Sequence, residues 1–364
     1  VKIDPTFIAR VRSADSQADL HTLVQAAIEL EHATIPPYLC GYFTLRLGTN
    51  AAVGDVIRTV VIEEMLHLTI ASNLLIALGG SPNLKGKEFV PAYPEGLPFG
   101  IGNQPGDEFK VHLRKCTIDQ VRNTFMKIEE PDEILEIPVV KGRLAALAMA
   151  GEPHFDTIGD FYRFLSQKIR DLDEEGKITW HTEGQVIPER WFQGAIRPIG
   201  SADAAAAGIH LIVDQGEGSK DDPFDELRKP SHYYRFREIA EARALIPLPG
   251  QDPPYAYAGE PVLLDTRNVW NMDDDPRVAK YRSGSTSHHM AVQFAYSYTR
   301  ALSALHDAFN GGGSSKIDQA MGVMYELRLL AQQVLSTPAD FADGSTNKSE
   351  IATGLCFEWQ ETNT

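Results

Sequence analysis

Cysteine is scarce in this chain: Cys40, Cys116 and Cys356 are three in 364 residues, odd in number and far apart. No disulfide framework and no paired-cysteine metal knuckle can be built from them, so a reducing, cytoplasmic setting is the expectation. Basic residues are also short, with 34 Lys and Arg against 50 Asp and Glu and a net charge of −16. That excess repels phosphate backbones and anionic lipid headgroups, which argues against nucleic acid and membrane surfaces as partners. Residues 1–11 lack the apolar core of a signal peptide, again fitting a cytoplasmic protein. Uninterrupted apolar runs are missing too. The most apolar stretch, residues 60–78, is broken by Glu63, Glu64 and His67, which argues against a membrane span. No Gly-x-Gly-x-x-Gly or P-loop follows a strand pattern, and no Gly-x-Ser-x-Gly elbow occurs, so nucleotide and serine-hydrolase chemistries lack their signatures.

What is present is a globular composition, 43% hydrophobic and 23% charged, in a length that suits two domains or one large one. Helical periodicity dominates. Asp19 is placed to cap a first helix whose apolar stripe, Leu20, Leu23, Val24 and Ala27, arrives one turn later at Glu31; Pro36 and Pro37 then predict a kink or break. A second helix is expected over residues 55–78, stopped by Gly79-Gly80-Ser81-Pro82, with the stripe Val60, Glu64, His67, Ala71, Leu74, Leu78. Phe109, Val111 and Leu113 alternate with polar residues as in a short strand. Thr117 and Gln120 resemble a capping box for a helix through Ile128. A third long helix starts near Asp156, residues 177–224 look mixed with a strand or two, and a fourth helix begins at Pro230-Ser231. Residues 247–287 form a Pro- and Asp-rich connection. Two more helices, about 286–309 and 315–335, flank Gly311-Gly312-Gly313, and the tail from Ser336 is expected to wrap the protein through Phe357 and Trp359. The division that follows is 1–250 for a bundle with insertions and 251–364 for a helical extension packed on it.

The chemistry lies in the stripes. Glu31, Glu64 and His67 occupy positions that apolar neighbours mark as core-facing, and the order Glu-x-x-His puts two side chains on one helix face. A buried carboxylate without compensation costs several kcal/mol, so residues placed this way need a partner or a metal. Four-helix carboxylate sites use one Glu from each of two helices and Glu-x-x-His from each of the others, and the first hairpin supplies half of that. Glu63 stands four residues before His67 and competes with Glu64, which continues the stripe better. There is no second Glu-x-x-His. His232 shares a stripe with Phe236 and Ile239 and is the next candidate ligand, against the ordinary reading of a hydrogen-bonded core histidine. Glu238 follows it, with an ion pair to Arg235 as the bland alternative. Asp160 lies in a first helical turn, where the helix dipole alone favours a carboxylate. Glu326 is a reserve candidate, and His288-His289 reads as solvated. The aromatic set Tyr233, Tyr234, Phe236, Trp191, Phe192 and Trp180 either lines a pocket or fills core.

Taken together, LEHATIPPYL at residues 30–39, IEEMLHL at 62–68, TIGDFY at 157–162 and SHYYRFREI at 231–239 resemble the ferritin-like domain named for iminophenyl-pyruvate dimer synthase. The resemblance runs over about residues 20–246. It implies a mainly α, ferritin-like four-helix bundle with long irregular insertions, minor β structure and extra C-terminal helices, holding one or two iron ions. It also implies an oxidoreductase of secondary metabolism that uses dioxygen on a small aromatic or amino-acid-derived substrate of imine or 2-oxo acid type. Related domains sit in violacein- and rebeccamycin-type pathway proteins that oxidatively couple two aryl-pyruvate imines, and those proteins carry additional segments. The metal ligands carried forward are Glu31, Glu64, His67, His232, Glu238 and Asp160. The alternative is a non-catalytic metal- or ligand-binding bundle. Iron storage is disfavoured by the long Pro-rich insertions. Small-molecule substrate and dioxygen are the expected partners, and a homo-oligomer is compatible with the sequence.

Overall fold

In a computed structural model of the chain, which describes residues 5–98, 109–131, 134–139, 158–218, 221–345 and 350–361, a short helix α1 (Pro5–Ser13) leads into α2 (Gln17–Thr44). Ser16, not Asp19, is the cap of α2: its hydroxyl accepts from the Asp19 N–H while the Asp19 carboxylate accepts from the Ser16 N–H at 3.1 Å, a reciprocal pair that satisfies two helix-end donors. The helix continues through Pro36 and Pro37 instead of breaking. Pro37 has no N–H for the Ala33 carbonyl one turn back, and the Tyr93 hydroxyl donates to that carbonyl at 2.8 Å in its place.

Helix α3 (Ala51–Ala77) begins four residues before the expected start. It stops at Gly79, whose φ of 77° is left-handed, with Gly79 N–H on Ile76 O at 2.8 Å and Gly80 N–H on Leu75 O at 2.9 Å. By length and apolarity α3 could cross a membrane, but 89% of its most apolar window is buried against protein, as in a core helix. The run Phe109–Leu113 does not become a strand. Only Val111 bridges, to Glu95, because the Leu113 N–H is taken by the Asp275 carboxylate at 2.9 Å. Thr117 caps α4 (Ile118–Gln120), accepting the Gln120 N–H at 3.0 Å. The Gln120 side chain reaches the His112 carbonyl instead of returning to Thr117, so the capping box is half made. The helix widens into a π turn (Val121–Phe125) and ends as α5 (Met126–Ile128).

Helix α6 (Ile158–Glu174) follows; its expected start near Asp156 lies outside the described residues. Residues 177–218 hold no strand among the described residues. They hold α7 (Ala202–Gly216), capped by Ser201, whose alanine run carries high intrinsic helicity. Helix α8 (His232–Glu241) leads into an antiparallel pair, β1 (Arg243–Pro247) and β2 (Tyr255–Pro261), with Leu245 opposite Tyr257. Helices α9 (Thr286–Asp307) and α10 (Gly313–Leu335) form a hairpin, with Gly311 and Gly313 at positive φ where it reverses.

Helix α2 packs on α3 and α6 on α7, and contacts of α2 with α6 and of α3 with α7 close a four-helix bundle. Helix α8 lies against α3 and α5, and α10 lies against α2. One apolar core runs from Leu20 through α3, α6 and α7 to Leu335 in α10. The tail joins it: Phe357 is buried with its ring edge-on to Phe294 at 5.0 Å.

Candidate metal centre

Four elements deliver side chains to one point inside the bundle. Helical register sends Glu31 inward from α2 and Glu64 and His67 inward from α3. Glu129 arrives at the end of α5, and His232 is the first residue of α8. All five are buried. They form two groups that share Glu64: Glu31 with Glu64 and His67, and Glu64 with Glu129 and His232. Within each group one ligand-type atom per residue lies within 4.8 Å of the others. His67 Nδ1 is 3.5 Å from Glu31 Oε2 and 3.8 Å from Glu64 Oε1. His232 Nδ1 is 2.8 Å from Glu64 Oε1 and 3.7 Å from Glu129 Oε2.

Each member is held from behind. Thr34 donates to Glu64 Oε2 at 2.8 Å, leaving Oε1 to face the histidines. Tyr162 of α6 donates to Glu31 Oε1, and Tyr38 of α2 donates to Glu129 Oε1. The Nε2 side of His67 meets Gln215 Oε1 of α7 at 2.9 Å. The Nε2 side of His232 meets Glu63 Oε2 at 3.1 Å, and Glu63 also accepts from Arg235 at 2.8 Å and lies 3.5 Å from Lys229 Nζ. Both rings therefore turn Nδ1 toward the carboxylates.

The electrostatics follow from burial and crowding. Burial, then the charge of Glu129, pushes the Glu64 carboxyl up to about 7 against the favourable pull of His232 and His67. Burial alone would strip the proton from His232, yet Glu129, Glu63 and Glu64 together raise its pKa well above the ordinary value. His67 is raised in the same way by Glu31 and Glu64. Burial would also raise the Glu63 carboxyl. The hydrogen bond from His232 and the charges of Arg235, His232 and Lys229 outweigh it and hold Glu63 below the usual carboxylate range.

This donor set fits a cation. His232 Nδ1 is close to Glu64 but out of line for a hydrogen bond, so it is a buried nitrogen without a hydrogen-bond partner, within 4 Å of two carboxylates. Hard carboxylate oxygens with imidazole suit Fe(II) and neighbouring first-row divalent ions. Beside the group lies a cavity of about 40 Å³, walled by Leu30, Ile128, Ile158, Ile212 and Val213, with room for water or another small molecule.

Of the residues singled out in the sequence, the structure brings Glu31, Glu64, His67 and His232 together. Glu238 lies outside the group: buried, it accepts the Leu245 backbone N–H at 2.8 Å. The ion pair of Arg235 is with Glu63. Asp160, in the first turn of α6, pairs with Arg163 at 2.5 Å and is also outside. Glu326 and His289 are exposed and His288 is half-buried at the start of α9. Trp191 and Phe192 line an apolar groove of about 200 Å³ between α2, α3 and α10, whereas Tyr233 and Tyr234 are core. His32, next to Glu31, turns to α9 and meets the Tyr298 hydroxyl at 2.5 Å.

Sequence reasoning missed Glu129, although it falls eight residues after Val121 on the stripe Val121, Phe125, Ile128. It also missed Gln215 and the two tyrosines, for which no local signal exists. Helices α6 and α7, where a symmetric bundle would place the second Glu and Glu-x-x-His, contribute Tyr162 and Gln215 instead. The remaining ligand-type groups come from Glu129 and His232, outside the four bundle helices.

Comparison with known proteins agrees with this architecture. The chain is 27% identical over 314 residues to 2-imino-3-(indol-3-yl)propanoate dimerase of Chromobacterium violaceum, an alignment that takes in 81% of this chain and 27% of that protein. The chain thus spans about a quarter of the length of that curated relative. A crystal structure of a ferritin-like protein from Caulobacter vibrioides superposes with a TM-score of 0.56 at 22% identity, covering 86% of this chain and 95% of the other, and shows the shared fold. The ferritin-like family model matches residues 24–241, which holds every member of the two groups and more than half of the chain, and the protein therefore belongs to the ferritin-like family.

Proposed function

We propose that the chain is an iron-dependent oxidoreductase of secondary metabolism, using dioxygen on a small aromatic or amino-acid-derived substrate of imine or 2-oxo acid type. The observation that carries this is the pair of buried carboxylate–histidine groups sharing Glu64. The relative from Chromobacterium violaceum, named for an indolyl imino acid dimerisation, supports the substrate class and makes oxidative coupling the first reaction to try. Glu31, Glu64 and His67 would hold one ion, and Glu64, Glu129 and His232 the other. When bound, iron would supply the one-electron redox chemistry that the side chains lack.

The chain's own part is to hold this set ready. Tyr162, Tyr38 and Thr34 each occupy one oxygen of a carboxylate and fix the orientation of the other. Gln215 and Glu63 fix the two rings. All five side chains are buried, which strengthens the charge interactions among them. A second reading, a metal-binding protein without turnover, draws support from the small cavity beside the group, which is far below the usual size of a drug-sized ligand site.

Metal analysis combined with dioxygen uptake tests both. Protein loaded anaerobically with Fe(II) is expected to retain iron and to consume dioxygen when an aryl imino acid is supplied. Glu64→Ala should lose iron from both positions and Glu129→Ala from one, with helical circular dichroism preserved. Wild-type iron content in Glu64→Ala would sink the centre, and iron retention without substrate-dependent uptake would favour the second reading.

A further inference from the structure

We propose that the two cation positions are unequal, and that the position formed by Glu64, Glu129 and His232 binds its ion more tightly because Glu63 stands behind His232 where Gln215 stands behind His67. The inference rests on the metal-centre reading above and adds an order of filling with the residue that sets it.

The inner sets are matched. Each contains one imidazole Nδ1, one carboxylate of its own and the shared Glu64. Each private carboxylate carries one tyrosine hydroxyl, Tyr162 on Glu31 and Tyr38 on Glu129. The difference lies one bond further out. His67 Nε2 faces the neutral amide oxygen of Gln215 at 2.9 Å, whereas His232 Nε2 faces a carboxylate oxygen of Glu63 at 3.1 Å. A carboxylate draws the Nε2 proton more strongly than an amide does, which makes the opposite nitrogen a better donor to a cation. It also adds a negative charge behind that ring, in a buried place where water screens it little.

Arg235 and Lys229 work against this. Both contact Glu63, at 2.8 and 3.5 Å, and they offset part of its charge. Geometry limits the offset. The Arg235 guanidinium is shared with the Pro230 carbonyl at 3.1 and 2.9 Å, and Lys229 is more than half exposed. Glu63 Oε2 itself meets His232 Nε2 at 3.1 Å, so the carboxylate acts on the ring directly. The local sequence makes the device. In IEEMLHL, Glu64 faces inward, and its neighbour Glu63, about 100° round the helix, reaches the ring of α8 from outside the group.

Anaerobic titration of the full chain with Co(II), followed by visible absorption and calorimetry, tests the order. Two steps are expected, separated by about tenfold or more in Kd, the scale on which outer partners of ligand histidines act. Glu129→Ala should remove the tighter step and Glu31→Ala the weaker one. Glu63→Gln, nearly isosteric, should weaken the tighter step by about 10–100-fold and leave the weaker one in place. Gln215→Glu should tighten the weaker step, and it decides the matter if Glu63→Gln does not fold. General damage to the fold would weaken both steps together, so the split between them is the diagnostic quantity. Two equal steps in wild type, or a tighter step that survives Glu129→Ala, overturn the proposal while leaving the metal centre standing. Absence of any Co(II) binding overturns the centre and this inference with it.

Discussion

Glu238 is a buried carboxylate outside the two groups that could hold a metal among the described residues. It accepts the Leu245 N–H at the start of β1, and burial pushes its pKa up to about 7 despite that bond and the nearby charge of Arg235. In the unfolded chain the group titrates near its ordinary value of 4.5. Below pH 4.5 both states are protonated and nothing is lost. Between 4.5 and 7 the unfolded chain releases the proton while the folded chain keeps it, so folding stability falls as pH rises, by at most about 3 kcal/mol. Glu238→Gln keeps an oxygen for Leu245 and removes the titration. Denaturant melts of this variant are expected to show higher stability than wild type at pH 8 and little difference at pH 5, with metal stoichiometry unchanged. An equal effect at both pH values would reject the account. The same residue shows why ligands were hard to name from sequence. Glu129 continues an apolar stripe and Glu238 shares the helix of His232, yet it is Glu129 that the packing of α8 against α5 brings to that histidine.

At the scale of the element, local chemistry set most boundaries. The glycine stop after α3, the Thr117 cap of α4 and the Gly311–Gly313 reversal lie where residue types demand them. Pro36 and Pro37 are the instructive exception. Their sequence predicts a break, since each removes a backbone donor and an internal proline costs about 3 kcal/mol. The helix survives because Tyr93, more than fifty residues away, donates to the orphaned Ala33 carbonyl, and because this segment is packed on every side. Tyr93→Phe leaves that carbonyl buried and unpaired, so we expect a loss of about 1–3 kcal/mol in denaturant stability. Retention of wild-type stability would show that the carbonyl finds another partner. The hairpin β1–β2 was not legible, because its strands are short and separated by a proline-rich turn that reads as connection.

Across the whole molecule, one apolar core joins the bundle to the C-terminal hairpin. His32 on α2 meets Tyr298 on α9, and the Gln332 side chain of α10 donates to the Phe43 carbonyl at 2.7 Å. Elements sharing a core and buried polar contacts unfold together. Calorimetry on the metal-free chain is therefore expected to give a single transition, with near-ultraviolet and far-ultraviolet circular dichroism lost at the same temperature. Two resolved transitions would mean that residues 251–364 fold as an independent unit.

The sequence by itself determined the helices and the first half of the site. Side-chain period fixes which face of a helix is buried, so Glu31, Glu64 and His67 on apolar stripes could be read before any fold was known. It also determined family resemblance, through motifs such as LEHATIPPYL. The tertiary structure alone decided the second half. That Glu129 approaches His232, and that Gln215 and Glu63 stand behind the two rings, depends on elements distant in sequence and adjacent in space. Periodicity orients a side chain relative to its own axis. Only packing between axes sets which residue it meets.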